Sequence, residues 1–355
     1  MASSGTVSQT TIDVATIIEH AFRRSGQSPA DQTADAIKAA QENLYFYLSQ
    51  LANAGTSLWT IQKTILGTIT GQDAYAIGNG VIDVRNILYR TVTPAAGGTP
   101  ASSAGGTAAN AFSQILTTAC TQVSSNGNIS YDFGVGKAPT ITNVGIMTNG
   151  AQTYTLAWEY STDNINWTTA LLNPVTNFAD LTWAYYDISN AGAARYFRVR
   201  ETGGGILNVR EIGFNTILSE IHAARLNIDQ YTNLTNKTFQ GSNVLQYWLD
   251  RQIPSPIARI WPVSNSNFNQ LVVWNRRQIQ DVGSNMAGTI EVPQRWIEAV
   301  VTELARRLVL ELPKADPKRY QMLKDEADAA TFAAQQEERD NSAIQITPNI
   351  SCYTR

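Results

Sequence analysis

The sequence predicts an α+β multidomain protein, in which a helical bundle with a small β-sheet is split by an inserted antiparallel β-sandwich. Three observations support this fold class. Helical hydrophobic periodicity occurs near both ends of the chain, the composition changes abruptly after residue 93, and short strand patterns separated by turn residues fill the middle. At 355 residues the chain is long enough for two or three domains.

The first segment predicts a helical hairpin. Apolar residues recur at helical spacing over about residues 14–22, where Thr11 or Asp13 can cap the helix and Gly26 can end it. A second amphipathic pattern covers about residues 30–53 after a short connection. Three strand patterns then follow, so helices and a small sheet belong to one predicted domain.

The middle of the chain begins with a change of composition. The segment TPAAGGTPASSAGGTAAN after Val92 lacks apolar periodicity and predicts a flexible linker at a domain boundary. The short strands beyond it are typical of a β-sandwich. Their patterns cover residues 129–133, 140–148, 154–161, 183–188, 195–201 and 209–214.

The last segment returns to the style of the first. Strand-like pieces precede an amphipathic helix over about residues 293–312, which Pro313 ends, and a final helix extends to about residue 339. The predicted division is a host domain of residues 1–93 and 217–340, an insert with its linker at 94–216, and an extended tail at 341–355.

Composition excludes some classes of function. The formal charge is −3 and charged residues make up 15% of the chain, so a protein that grips nucleic acid is not expected. This composition is still compatible with a surface that faces DNA without binding it tightly. A low charge content also suits permanent subunit interfaces. No apolar run reaches the length of a membrane span, so none is expected.

The residues that carry catalysis are sparse. His20 and His222 lie roughly 200 residues apart, and the two cysteines are also distant. The GVGK at residues 134–137 lacks the preceding glycine and the following Ser or Thr of a phosphate loop. We therefore expect no catalytic residue, no metal and no cofactor.

Several motifs follow one another in the outer segments. They are NKTFQG at 236–241, QYWLDRQ at 246–252, IWPV at 260–263, RRQIQDVG at 276–283 and VPQRW at 292–296. In this order they resemble the head-to-tail adaptors of short-tailed bacteriophages, of the tail tubular protein A or tail accessory factor type. The motif residues are Tyr247, Trp248, Asp250, Arg251, Trp261, Pro262, Arg277, Asp281, Pro293 and Trp296.

This resemblance implies a structural role in the neck of a virion, assembled in the host cytoplasm. Such adaptors form a ring, usually of twelve subunits, that joins the portal protein to the tail nozzle or fibres. Genomic DNA passes through the ring without sequence-specific binding. The resemblance also implies a C-terminal tail that docks on the portal, here through Ile344, Ile346, Ile350, Tyr353 and Arg355.

The insert has a resemblance of its own. Its motifs are NISYDFG at 128–134, WEYSTD at 158–163 with NWT at 166–168, ARYFRVR at 194–200 and VREI at 209–212. They resemble discoidin-type, or coagulation-factor C-type, domains with a galactose-binding-like jelly roll.

That resemblance places the ligand loops near residues 110–113, so Asn110 and Ser113 are candidate glycan contacts. Relatives often carry Asp where Ser113 stands, and this departure argues against a calcium site. Trp183 and Tyr185 are further candidates, because aromatic rings stack on sugars. The alternative is that these two rings fill a core, as alternating aromatics on a strand often do.

The sequence therefore favours a ring adaptor that joins portal and tail. The alternative is a glycan-binding adhesin or virion decoration protein that acts through the insert. A cell-wall hydrolase is disfavoured, because no pair of carboxylates in a recognisable cleft is evident. Since insertions are tolerated in exposed loops, we predict that the host domain still folds and binds the portal after residues 94–216 are replaced by a short bridging turn.

Overall fold

We describe residues 12–27, 32–54, 58–189, 192–282, 286–312 and 316–338 of a computed structural model of the chain. The chain forms two compact units. One comprises residues 1–61 and 277–355, and the other comprises residues 62–276. These limits differ from the predicted boundaries at 93 and 217, because the insert and the host strands that flank it belong to the same unit.

The described elements are five helices and seventeen strands, besides short 3₁₀ turns. The helices are α1 (Val14–Ser25), α2 (Ala34–Asn53), α3 (Ile228–Thr232), α4 (Ile297–Glu311) and α5 (Tyr320–Glu337). The first nine strands are β1 (Ile61–Gly67), β2 (Ala74–Ala76), β3 (Val81–Thr93), β4 (Thr99–Ser102), β5 (Cys120–Thr121), β6 (Asn128–Asp132), β7 (Asn143–Thr148), β8 (Gln152–Ser161) and β9 (Thr168–Phe178). The others are β10 (Trp183–Asp187), β11 (Tyr196–Glu201), β12 (Asn208–Leu226), β13 (Gln240–Gly241), β14 (Gln246–Asp250), β15 (Ile257–Trp261), β16 (Val263–Ser264) and β17 (Gln270–Arg277).

The helical unit is built around α4, against which α1, α2 and α5 pack. Asp13 caps α1 by accepting a hydrogen bond from the Thr16 N–H at 2.8 Å, and Gly26 ends the helix in the left-handed conformation. Thr33 caps α2, which begins four residues later than predicted. These contacts bury the apolar stripe that the sequence shows on each helix.

The insert forms a β-sandwich, as the sequence predicts. One sheet has the order β4-β6-β11-β8-β9, and the facing sheet contains β10, β7 and the first half of β12, with β5 at its edge. Large apolar side chains from both sheets fill the space between them. They include Trp158, Phe197 and Phe214, which are almost fully buried.

Strand β12 connects the insert to the host. Residues 208–215 pair with strands of the insert, whereas residues 216–226 pair with β3 and β14 of the host. The host sheet follows the order β1-β17-β3-β12-β14-β15-β2, so β12 lies near its middle. The insert therefore shares a hydrogen-bonded strand with the host and is not an independent domain joined only by a loop.

The predicted flexible linker after residue 93 is corrected by the structure. Thr99–Ser102 forms β4 and pairs antiparallel with β6. The Gly98 N–H donates a hydrogen bond to the Tyr131 hydroxyl at 2.8 Å, and a Cβ on Gly98 would lie 2.3 Å from the Asp132 carbonyl oxygen. The small residues of this segment therefore allow a close approach to the sandwich, which their composition alone does not distinguish from flexibility.

Deletion of residues 94–216 with a short bridging turn should destabilise the remaining β-rich unit. The deletion removes the first half of β12 and uncovers the apolar surface on which the insert packs. We expect loss of cooperative thermal unfolding for the β-rich unit, measured by near-ultraviolet circular dichroism. A cooperative near-ultraviolet transition of the β-rich unit that persists after the deletion would show instead that the insert is dispensable.

Candidate functional site

Trp183 and Tyr185 on β10 lie where the insert meets the host strands. Their rings stack with centroids 4.7 Å apart and are only 5% and 6% exposed. The Trp183 indole donates a hydrogen bond to the Asn267 carbonyl at 2.9 Å, and the Tyr185 hydroxyl donates one to the Phe268 carbonyl at 3.3 Å. The prediction that Trp183 and Tyr185 contact a glycan is therefore wrong, because their rings fill an interior cluster and their polar groups are already hydrogen-bonded.

Alternate residues of β10 pack against alternate residues of β1. Trp183 lies against Gly67, where a Cβ would come within 2.5 Å of it. Tyr185 packs with Ile65 in the same apolar cluster. Asp187 at the end of β10 forms an ion pair with Lys63. This side-by-side arrangement makes the first wall of a cleft between insert and host.

Arg90 on β3 is the most deeply buried charge at this junction, with 2% of its side chain exposed. Its guanidinium donates hydrogen bonds to Asp187 at 2.6 Å, to Glu220 at 2.7 Å and to the Gln270 side chain at 3.2 Å. A buried charge is stable only when it is paired and hydrogen-bonded, and Arg90 meets both conditions through residues of three other strands or strand ends.

Asp187 is the acceptor that these cations share. Burial by itself would raise the pKa of Asp187, but hydrogen bonds from Arg90, Lys63 and Asn143 outweigh it and hold that pKa below its ordinary value. Asn143 donates to Asp187 at 3.0 Å. Together with Glu220, the group contains two cations and two anions, so its formal charges cancel.

A cleft of about 530 Å³ lies beside this charged group. Its walls come from β1, β9 and β10 and combine apolar, aromatic and charged side chains. The residues include Lys63, Ile65, Leu171, Tyr185, Tyr186 and Asp187. We call it the junction cleft. Of the predicted glycan contacts, Tyr185 alone reaches it.

A second, smaller cleft of about 280 Å³ lies at the predicted ligand loop. It is bounded by residues 95–98 on one side and by Phe112, Ser113 and Gln114 on the other, with Tyr131 lining it as well. The rings of Phe112 and Tyr131 pack with centroids 4.7 Å apart. We call it the loop cleft.

The predicted contacts Asn110 and Ser113 take different positions at the loop cleft. Ser113 lines it, and its hydroxyl lies 2.9 Å from that of Thr118. The Asn110 amide donates a hydrogen bond to the Ala119 carbonyl at 2.8 Å. Both side chains therefore hold the shape of the loop, since the Ser113 hydroxyl also donates to the Asn110 carbonyl at 3.0 Å, and Ser113 alone of the two lines the cleft.

Glu211 on β12 is a buried carboxyl that the sequence did not single out. It is 2% exposed, accepts one hydrogen bond from the Gln114 N–H at 3.2 Å, and leaves its other oxygen without a partner. Burial raises the pKa of Glu211 to about 8, so the carboxyl is mainly protonated at neutral pH. Tyr185, whose own pKa is raised by burial and by Glu211, is the titratable group beside it.

Six residues of the adaptor motif lie in the β-rich unit. Tyr247 is buried on β14, and the others contact neighbours within the unit. The contacts are Trp248 with Tyr231, Asp250 with Arg259, Arg251 with Asp83, Trp261 with Asn236, and Pro262 beside Gly241. These internal contacts give the six residues a role in the fold.

The other four lie in the helical unit. Trp296 is fully buried and packs on Trp59, with ring centroids 5.6 Å apart. Arg277 forms an ion pair with Glu291. Pro293 precedes the short 3₁₀ turn that leads into α4, and Asp281 is exposed. The five predicted portal-docking residues between 344 and 355 lie outside the described residues.

Within the described residues, no group of three or more His, Cys, Asp or Glu side chains is placed to hold a metal ion. The helices of that part of the chain are too short or too polar to cross a bilayer. The Arg198 guanidinium lies over the Trp167 ring, 4.0 Å from its centroid.

Replacement of Glu211 with Gln should remove a pH dependence of stability. The pKa of this carboxyl is about 8 when folded and about 4.3 when unfolded, so the folded form binds the extra proton between those values. Stability should fall as pH rises through this window, by about 1.4 kcal/mol per pH unit.

Urea unfolding at pH 5, 7 and 9 measures this difference. The wild type should lose stability relative to Glu211→Gln as the pH rises. Glu220→Gln is the control, because Glu220 is partly exposed and ion-paired with Arg90. Parallel pH profiles for the wild type and Glu211→Gln would contradict the assignment.

Solved structures of carbohydrate-binding modules are similar to about a third of this chain. No protein-family model matches the chain, and no curated protein matches it. A chitosan-binding module from a Paenibacillus sp. IK-5 chitosanase/glucanase is 21% identical, with 35% of this chain and 97% of that chain covered and a TM-score of 0.30. The family 32 carbohydrate-binding module of Clostridium perfringens NanJ, solved with galactose, is 13% identical, with 36% and 99% covered and a TM-score of 0.31. Since both scores are low, the sandwich fold is established by its own strand pairing.

Proposed function

We propose that this protein is a non-catalytic structural protein whose β-sandwich binds glycan in the loop cleft. The observation that carries the proposal is the position of that cleft. It opens beside Ser113, in the loop where the resemblance to discoidin-type domains places ligand contacts. The protein would then act as an adhesin or as a decoration protein of a virion.

The lining of the loop cleft suits a sugar. Phe112 supplies an apolar ring, and Ser113 and Gln114 supply polar groups beside it. Small-molecule pockets combine mostly apolar walls with a few polar groups and measure roughly 300–1,000 Å³. At about 280 Å³ the cleft lies just below this range, so it is suited to a single sugar residue.

Replacement of Ala109 with Arg should abolish glycan binding at the loop cleft. Ala109 lines the cleft but is exposed, so a long side chain there blocks the opening without disturbing the core. Binding of methyl glycosides of galactose, glucose, mannose and N-acetylglucosamine to the full chain is measured by saturation-transfer NMR.

Ala101→Arg is the matched control. Ala101 is also exposed but lies on β4 outside the cleft, and this variant should bind as the wild type does. Unchanged binding by folded Ala109→Arg, or no binding of any glycoside by the wild type, would refute the loop cleft as a glycan site.

A second candidate function is the phage head-to-tail adaptor. The observation that favours it lies in the helical unit, where three helices expose large apolar side chains. They are Tyr45 and Phe46 on α2, Leu310 on α4, and Met322 and Phe332 on α5. Apolar side chains left exposed in this way suit contacts with other subunits. A glycan-binding sandwich on the outside of a ring is compatible with this function.

The adaptor function predicts assembly that depends on these side chains. Rings should form when the purified protein is mixed with a portal protein of a short-tailed phage, as seen by sedimentation velocity and electron microscopy. Phe46→Ser with Leu310→Ser should reduce ring formation. Ile253→Ser, which changes an exposed residue of the other unit, should not. A protein that stays monomeric and ignores the portal would exclude this function.

A further inference from the structure

We propose that the junction cleft is a second binding site, made jointly by host strand β1 and the inserted sandwich, and that its ligand is a neutral saccharide unit. The cleft shares no lining residue with the loop cleft. Its walls require both parts of the β-rich unit, since Lys63 and Ile65 come from the host and Leu171, Tyr186 and Asp187 come from the insert.

Edge strands border the cleft on every side that contributes lining residues. β1 and β9 each end the strand order of their sheet, and within the described residues β10 pairs with β7 alone. An edge strand presents main-chain N–H and C=O groups that no neighbouring strand engages. The cleft therefore offers main-chain donors and acceptors to a ligand besides its side chains.

The charges at the cleft argue against an anionic ligand. Lys63 is paired with Asp187, and Arg90 behind it is paired with Asp187 and Glu220. The two cations and two anions already satisfy one another, so a phosphate or carboxylate would add a negative charge beside Asp187 without a free cation to balance it. A ligand with hydroxyl groups can hydrogen-bond to the exposed sides of Lys63 and Asp187 and leave the ion pairs intact.

The apolar wall matches one face of a sugar ring. Ile65 and Leu171 are half-buried, and Tyr186, which packs against the sandwich core, also lines the cleft. Burial raises the pKa of the Tyr186 hydroxyl, which therefore stays protonated and can donate a hydrogen bond. A pyranose combines an apolar face with a rim of hydroxyl groups, which is the same combination that this cleft presents.

The cleft is held in shape before any ligand arrives. Trp183 and Tyr185 are buried and hydrogen-bonded to the host chain, and Arg90 fixes Asp187 from behind. Little side-chain freedom is therefore lost on binding, which favours affinity. With two sites on one chain, a polysaccharide that reaches both would bind more tightly than its single units.

The test compares neighbouring residues of β9 in the full chain. Leu171→Arg places a long charged side chain in the junction cleft, whereas Leu172→Arg places one on a residue that is 65% exposed and does not line it. Isothermal titration with methyl glycosides of galactose, glucose, mannose and N-acetylglucosamine gives the number of sites. We expect two per chain for the wild type and Leu172→Arg, and one for Leu171→Arg.

Lys63→Met is the second variant, because Leu171→Arg risks misfolding. Lys63 is about one-third exposed, and Asp187 keeps Arg90 and Asn143 as partners when the ammonium is removed. Binding at the junction cleft should weaken by roughly tenfold or more, as expected for the loss of a hydrogen bond to a charged group. Binding at the loop cleft should not change.

The two sites give separate outcomes. A single site per wild-type chain that Ala109→Arg abolishes would overturn the junction site and leave the loop site standing. A site that survives Ala109→Arg and disappears in folded Leu171→Arg would establish the junction site and refute the loop site. Wild-type stoichiometry and affinity in both Leu171→Arg and Lys63→Met would overturn the proposal.

Discussion

The β-rich unit depends on the pairing of Arg90 with Asp187. Arg90 belongs to a host strand and Asp187 to the end of an insert strand, so this contact joins residues almost 100 positions apart in the sequence. Removal of one partner from a buried charge pair typically costs about 3–5 kcal/mol, because the other charge is left uncompensated. The apolar packing of Trp183 and Tyr185 requires the same docking, so the charged and apolar contacts stabilise one arrangement.

The insert must pack against the host because both are built on the same continuous strand, β12. A strand that pairs with the insert over residues 208–215 and with the host from residue 216 fixes the direction in which the insert leaves the host sheet. Asn215 and Asn143 sit at this transition, and the Asn215 amide donates a hydrogen bond to the Asn143 side-chain oxygen at 3.0 Å. A cleft between insert and host is consequently a fixed feature of the unit, and a ligand bound there would also brace the insert.

Local patterns in the sequence predicted much of the fold, whereas contacts between distant residues were out of reach. The alternation of Trp158 and Tyr160 and the Asp13 cap are local signals, and both correspond to observed elements. β9 was missed because Pro174 and several polar residues interrupt its pattern. No local pattern indicated the buried carboxyl of Glu211 or the ion pairs of Lys63 and Arg90, because each depends on a partner far along the chain.

Trp183 and Tyr185 show that the exposure of a candidate binding residue can be judged only from the whole fold. On a strand that faces water on one side, alternating aromatics would form a platform for a sugar, and the sequence of β10 is compatible with that arrangement. In this chain host residues cover the outer face of the sheet that contains β10. The face that solvent would contact in an isolated sandwich is therefore buried. The junction cleft lies where host strand β1 meets this covered sheet. Insertion into a host has therefore changed which surfaces of the sandwich are available for binding.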